Sequence, residues 1–160
     1  MTTIHPAAEN DAPLILRYIQ ELAEYENLSD KVFVTEMVLR DWISSGKVEV
    51  LLAKYNGEDA GFVLYYFTYA TFRGNTGIYI EDLFVRPEYR RNGIGKMLFR
   101  EVARIAKKRG CFRIDWMVLD WNNSGAAFYK TIGGIPVNDW ITYRLQDQSI
   151  DLLADDKTEP

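Results

Sequence analysis

The stretch from Tyr79 to Lys96 is the most chemically loaded part of the chain. A hydrophobic run bearing two adjacent carboxylates, Glu81 and Asp82, leads through Leu83, Phe84 and Val85 into Arg90-Arg91-Asn92-Gly93-Ile94-Gly95-Lys96. A turn of the form Arg-x-x-Gly-x-Gly opening an amphipathic helix suits a pyrophosphate. Gly93 and Gly95 let the backbone come close to an anion, the first helical amides lack helical acceptors, and Arg90, Arg91 and Lys96 add positive charge. The same residues also fit a glycine-marked helix start on a solvated basic face, and the glycines alone leave the two readings level. Carboxylates are groups that take up protons in catalysis. On a regular strand, however, Glu81 and Asp82 point to opposite faces, so both line one site only where a bulge or strong twist intervenes.

Composition narrows the chemistry. The 160 residues and 48% hydrophobic content suffice for one domain, read as residues 1–160, with its own core. A single histidine, His5, and a single cysteine, Cys111, exclude a histidine-based metal centre, a multi-thiolate zinc site and an internal disulfide, and leave a Ser-His-Asp triad without support. No metal is expected. No apolar run approaches the roughly 18 to 20 residues that span a bilayer, and the first ten residues are too polar for a signal peptide, so a cytoplasmic protein without a membrane partner is expected.

The formal net charge of -4 hides an uneven distribution. Residues 86–113 hold ten of the 19 basic residues and two of the 23 acids, a local balance of +8 against -12 elsewhere. One stretch should attract anions and the remainder cations. A nucleic-acid-binding module would use the basic stretch, but exposed aromatics are not interleaved there, and no nucleic-acid partner is expected.

The elements that must position these residues follow from periodicity and punctuation. Thr2 to Ala7 reads as a first strand. Asn10 or Asp11 caps a helix in which Leu14, Ile15, Tyr18, Ile19, Leu22 and Tyr25 recur at helical spacing. A shorter helix begins at Thr35 and stops at Gly46. Val48 to Lys54 and Ala60 to Tyr69 read as strands around the hairpin signal Asn56-Gly57, and Gly77 to Val85 completes an antiparallel meander. A helix from Gly93 to Lys108, closed by Gly110, is followed by a buried strand from Phe112 to Leu119. Asn123 to Ile132 reads as a short helix, Trp140 to Leu145 as a last strand, and the acidic tail, residues 147–160, as flexible.

A second segment, Asp120-Trp121-Asn122-Asn123-Ser124-Gly125-Ala126-Ala127-Phe128-Tyr129, sharpens the picture. With the glycine turn it resembles the acyl-CoA-binding and catalytic motifs of the GCN5-related N-acetyltransferases. Leu22-Ala23-Glu24-Tyr25-Glu26, Tyr65-Tyr66-Phe67-Thr68-Tyr69, Tyr79 to Val85 and Asp120-Trp121-Asn122 look most like the diamine, spermidine/spermine and thialysine acetyltransferases. The resemblance covers about residues 3 to 145. It implies an α/β fold with a central, mixed, mostly antiparallel twisted sheet, splayed parallel strands 4 and 5, and flanking helices.

It also implies residue roles. Acetyl-CoA would lie between the splayed strands, its pantetheine arm paired by main-chain groups of Leu83, Phe84 and Val85. Its pyrophosphate would be held by Arg90, Arg91, Asn92, Gly93, Ile94, Gly95 and Lys96, with Asn122, Ser124 and Tyr129 completing the cofactor contacts. Tyr129, near the sulfur, would protonate the departing thiolate. Without the resemblance, Phe128 and Tyr129 read as core aromatics of a short helix. A primary amine near neutral pH is mostly ammonium and needs a base, for which Glu81 is the candidate, directly or through water. A main-chain N–H near Leu83 would serve the oxyanion. Direct transfer in a ternary complex, without a covalent acyl-enzyme, is the expected route.

Tyr25, Glu26, Glu81 and Asp82 are the substrate-binding candidates. Glu24 would extend a carboxylate-lined channel for a second or third ammonium, and Tyr25, Tyr66 and Trp140 would offer cation–π faces. Glu24 and Glu26 equally fit the exposed face of the first helix. The loop Thr71 to Thr76 places Arg73 close to the expected entrance, favouring short diamines or a lysine-like amino acid over long polyamines. The expected function is acetyl transfer to a primary amine of a small polycationic or lysine-like substrate. The alternatives are a protein N-terminus, a lysine side chain or an aminoglycoside as acceptor, or an acetyl-CoA sensor without turnover. The family implies a homodimer, with Tyr65 to Phe72 as apolar surface for it.

Overall fold

The computed structural model describes residues 1–155, which divide into two compact units, the first Met1–Asp120 and the second beginning at Trp121. In the first unit the elements run β1 (Thr2–Pro6), α1 (Ala12–Tyr25), α2 (Glu36–Ser44), β2 (Glu49–Tyr55), β3 (Glu58–Ala70), β4 (Asn75–Val85), α3 (Ile94–Lys108) and β5 (Ile114–Trp116). The strands form one sheet in the order β1-β2-β3-β4-β5, antiparallel except for the parallel pair β4 and β5. The α/β architecture expected from the motifs is the one observed.

Local chemistry sets the turns. Asn56 and Gly57 both take positive φ, 52° and 92°, the geometry of a two-residue turn whose twist matches the strands it joins. Gly61 on β3 has a different job: a Cβ there would sit 2.4 Å from the Phe84 carbonyl, so only glycine lets β3 and β4 close at this point. Ala12, Ile15 and Tyr18 of α1 and Leu39 of α2 pack on Val50, Leu52, Phe62, Leu64 and Phe84 on one sheet face. Ile94, Leu98, Val102 and Ala106 of α3 are also buried, as are Leu51, Ala53, Val63, Tyr65, Ile78 and Ile80 of the sheet.

The bulge that the carboxylates need is present. Leu64 pairs with Asp82 and Tyr65 with Ile80, so Glu81 has no partner of its own across the ladder. Its consequence is a change of side. Ile78 and Ile80 are buried together, yet Phe84, of the same parity, joins the α1 cluster. The extra residue turns Asp82 onto the α1 face, in register with Leu64.

The second unit contains α4 (Asn123–Thr131) and α5 (Gln148–Ala154). Two expectations are corrected. β5 is three residues long rather than the span Phe112 to Leu119, because the chain leaves the β4 ladder after Trp116. Trp140 to Leu145 forms no strand, as no segment among the described residues pairs with it. Helix α5 falls within the acidic tail, residues 147–160, whose last five residues, 156–160, lie outside the described ones.

Candidate active site

The amine side is assembled where the end of α1 meets the bulge. Glu26 is the C-terminal cap of α1 and is partly buried. Asp82 faces the same side of the sheet, and its carboxyl is pushed up to about 7, first by burial and then by the charges of Glu81 and Glu26. Burial also raises Glu26 above its usual range. Glu81 is exposed and accepts a hydrogen bond from the Tyr66 hydroxyl at 3.3 Å. Tyr66 stands opposite Tyr79 in the ladder, their rings 5.4 Å apart, and burial with the Glu81 charge raises its phenol to about 12. A half-buried carboxyl whose affinity for protons is raised by burial and by two neighbouring carboxylate charges makes a site that favours a cation.

Not every predicted member joins it. Glu24 lies two residues before Glu26, about 200° around the helix, and lines a separate surface groove with Arg17, Gln20, Glu21, Ser29, Val32 and Val34. The Tyr25 ring is covered by the Arg90 guanidinium at 4.6 Å, so a cation from the chain itself occupies one face. Trp140 belongs to the second unit, where it is 81% exposed. Arg73 stacks on Phe112 at 5.3 Å beside the start of β5. It precedes β4, whose six steps from Asn75 to Glu81 span roughly 20 Å. Tyr79, which the sequence reading did not select, could have been found from the strand register, since any hairpin pairing that seats Tyr66 beside Glu81 brings it in.

The phosphate side is built from backbone. A one-turn 3-10 segment, Pro87–Tyr89, delivers the chain to Arg91 and Gly93, which take φ of 65° and 77° before α3 begins. The first bond into the helix runs from the Met97 N–H to the Gly93 carbonyl at 3.0 Å, so Ile94, Gly95 and Lys96 offer amides with no helical acceptor. Asn92 spends its side chain on the turn, donating to the Tyr89 and Arg90 carbonyls at 3.1 and 3.3 Å and accepting from the Tyr55 hydroxyl at 3.2 Å. The Arg90 amide donates to the Pro87 carbonyl at 3.2 Å, and its Nε donates to the Val85 carbonyl at 2.9 Å. A Cβ at Gly93 would meet nothing within 4 Å, so the glycine is required by its φ rather than by crowding.

Between the two sides runs β4. Its pairing with β5 covers only Ile78 to Ile80, so on that edge Leu83, Phe84 and Val85 lie beyond the ladder, as expected for splayed strands. In the second unit Asn122 caps α4, its Oδ1 accepting from the Gly125 N–H at 2.9 Å. Ser124 is exposed on the first turn of α4, whereas Tyr129, seven residues after Asn122, is partly buried with its ring 5.4 Å from Phe128. Among the described residues no group of three His, Cys, Asp or Glu side chains could hold a metal ion, and no helix is long and apolar enough to cross a membrane.

Residues 15–133 match the sequence profile of the acetyltransferase (GNAT) family. The chain is 38% identical to a thialysine N-epsilon-acetyltransferase of Sus scrofa, the match covering 94% of this chain and 96% of that one. It is 30% identical to the spermidine/spermine N(1)-acetyltransferase-like protein 1 of Homo sapiens, over 92% of this chain and 23% of that longer one. A solved integron cassette protein of V. cholerae superposes with a TM-score of 0.79 at 26% identity, over 96% of this chain and 98% of that one.

Proposed function

The chain belongs to the acetyltransferase (GNAT) family and is an amine acetyltransferase; from that premise we propose that its acceptor is a small molecule carrying a primary amine and a second cationic group, of the diamine, polyamine or thialysine kind. The observation that carries this reading is the cluster of Glu26, Glu81 and Asp82 beside Tyr66 and Tyr79, in which Asp82 is held near 7. Such a cluster favours a substrate that arrives as a cation, and a second ammonium gains charge-assisted hydrogen bonds there. The thialysine and spermidine/spermine relatives act, by name, on amines of this type.

Members of the family take the acetyl group from acetyl-CoA, whose thioester supplies the electrophilic carbonyl. The donor set fits its diphosphate: unpartnered helical amides of Ile94, Gly95 and Lys96, the left-handed backbone at Arg91 and Gly93, and the cationic side chains of Arg91 and Lys96. In the same reading, Leu83, Phe84 and Val85 pair the pantetheine arm and Asn122 and Ser124 contact the cofactor. Glu81 takes the amine proton, Asp82 and Glu26 orient the acceptor, and Tyr129 donates the proton that the thiolate needs on leaving.

The protein works as a cytoplasmic homodimer in this reading. The dimer is supported by Tyr69 and Phe72 on the β3–β4 hairpin, which are 81% and fully exposed.

A panel assay of thiol release from acetyl-CoA with putrescine, spermidine, spermine, thialysine, lysine and an aminoglycoside tests the acceptor. Turnover of a diamine, polyamine or thialysine at least about tenfold above the aminoglycoside and lysine is expected. The reverse order would assign the chain to the alternative acceptors.

A further inference from the structure

Two arginines four residues apart, Arg86 and Arg90, grip two residues four apart on α1, Glu21 and Tyr25. Arg86 makes a bidentate pair with Glu21, its Nε and Nη2 donating at 2.8 and 2.7 Å. A third donor, Nη1, reaches the Asp59 carbonyl at 3.0 Å, which ties the same guanidinium to the start of β3. Arg90 lays its guanidinium over Tyr25 at 4.6 Å and faces Phe84 at 5.8 Å, while its Nε donates to the Val85 carbonyl. The 3-10 segment Pro87–Tyr89 between them sets the spacing, with the Tyr89 amide donating to the Arg86 carbonyl at 2.9 Å. The element held is the last turn of α1, which Glu26 caps. The element that holds it continues without a break into the turn at residues 91–96.

From this arrangement we infer that Arg90 is a positioning residue rather than a phosphate ligand: a strut that carries occupancy of the 91–96 turn to the Tyr25–Glu26 end of α1, so that coenzyme and amine bind synergistically. The inference rests on the reading above, in which the turn takes the diphosphate and Glu26 faces the amine. Its physical basis is directional. A guanidinium that stacks on an aromatic ring and donates in its own plane to a carbonyl fixes the angle between two backbones, which a point charge does not. Ordering the turn then removes freedom from the α1 terminus, and the amine meets a site already ordered. By reciprocity the amine tightens coenzyme binding by the same factor.

Amide hydrogen exchange on the full chain, with free coenzyme A as probe, separates the strut from a ligand. The amides of Glu26, Asn27 and Leu28 donate to the Leu22, Glu24 and Ala23 carbonyls, which makes them reporters of that turn. In the wild type, saturating coenzyme A should slow exchange both at 91–96 and at 26–28. In Arg90→Met the slowing should persist at 91–96 and vanish at 26–28, with coenzyme affinity within about threefold. Arg90→Lys should behave like Arg90→Met, because the ammonium lacks the plane and the Nε donor, whereas a phosphate ligand would be largely rescued by lysine. With thialysine as acceptor, Arg90→Met should raise KM about tenfold while kcat changes less than about threefold, within the range of ordinary coupling factors.

The inference is overturned if coenzyme A leaves exchange at 26–28 unchanged in the wild type, or if Arg90→Met loses coenzyme affinity while 26–28 still respond at saturation. Wild-type protein that does not acetylate thialysine would count against the acceptor reading alone, since the exchange pattern needs no amine.

Discussion

The two working regions of this sheet are built from different materials. The amine side consists of side chains brought together by burial: Glu26, Tyr66, Tyr79, Glu81 and Asp82 come from α1, β3 and β4, and meet only because a bulge turns Asp82 to the α1 face. The phosphate side is a continuous stretch of six residues, 91–96, whose useful groups are backbone amides, set by two residues in left-handed conformation. A region made of titrating side chains should respond in graded fashion to pH and to conservative substitution. A region made of backbone should ignore both and fail when its φ angles are forbidden.

The largest effect expected from that contrast is Gly93→Asp. A side chain at φ 77° costs about 1–2 kcal/mol, and a carboxylate at the helix start repels the diphosphate, so coenzyme A affinity should fall about 100-fold or more by calorimetry. Unchanged affinity would remove the backbone assignment. Next come the proton-transfer residues: Tyr129→Phe and Glu81→Gln should each lower kcat about 100-fold while coenzyme affinity stays within a few-fold. Equal turnover in either variant would strike that residue from the mechanism.

A smaller effect separates the regions by pH. Because the folded Asp82 carboxyl is raised from 3.8 to about 7, the native state binds more protons than the unfolded chain between those values, and its contribution to stability declines as pH rises through about 7. Asp82→Asn should therefore stabilise the protein against urea more at pH 8 than at pH 5. The same variant should flatten the rise of amine kcat/KM through neutrality. An equal stability change at both pH values would mean that Asp82 is an ordinary solvated carboxylate. The smallest effect belongs to the outer face of α3, where Arg104 pairs with Glu101 in solvent. Arg104→Ala should leave kcat/KM and stability within experimental error, which a coenzyme or nucleic-acid contact there would not allow.

What was legible in the sequence divides along the same line. Contiguous signals carried through: Asn56-Gly57 made its hairpin, and Gly93 and Gly110 bounded α3 with positive φ. The phosphate turn is one such segment, so its location could be read directly. The amine site depends on separations that no local pattern encodes. Nothing around Glu81 announces the bulge that the ladder records. The raised Asp82 carboxyl comes first from burial, which tertiary packing decides, and then from the charges of Glu81 and of Glu26, 56 residues earlier. The stacking of Arg90 on Tyr25, 65 residues away, likewise has no local signal in the sequence. Trp140 to Leu145 shows the reverse failure, since its β-branched and aromatic residues suit a strand, but a strand exists only where a partner pairs with it.

The central claim, that backbone amides of one turn hold the acetyl donor, is tested most directly by following the amide resonances of the labelled protein during titration with coenzyme A. The account predicts the largest shifts at residues 91–96, followed by 83–85, with saturation at a single stoichiometry. Shifts concentrated on the outer face of α3, with the 91–96 amides unmoved, would contradict it.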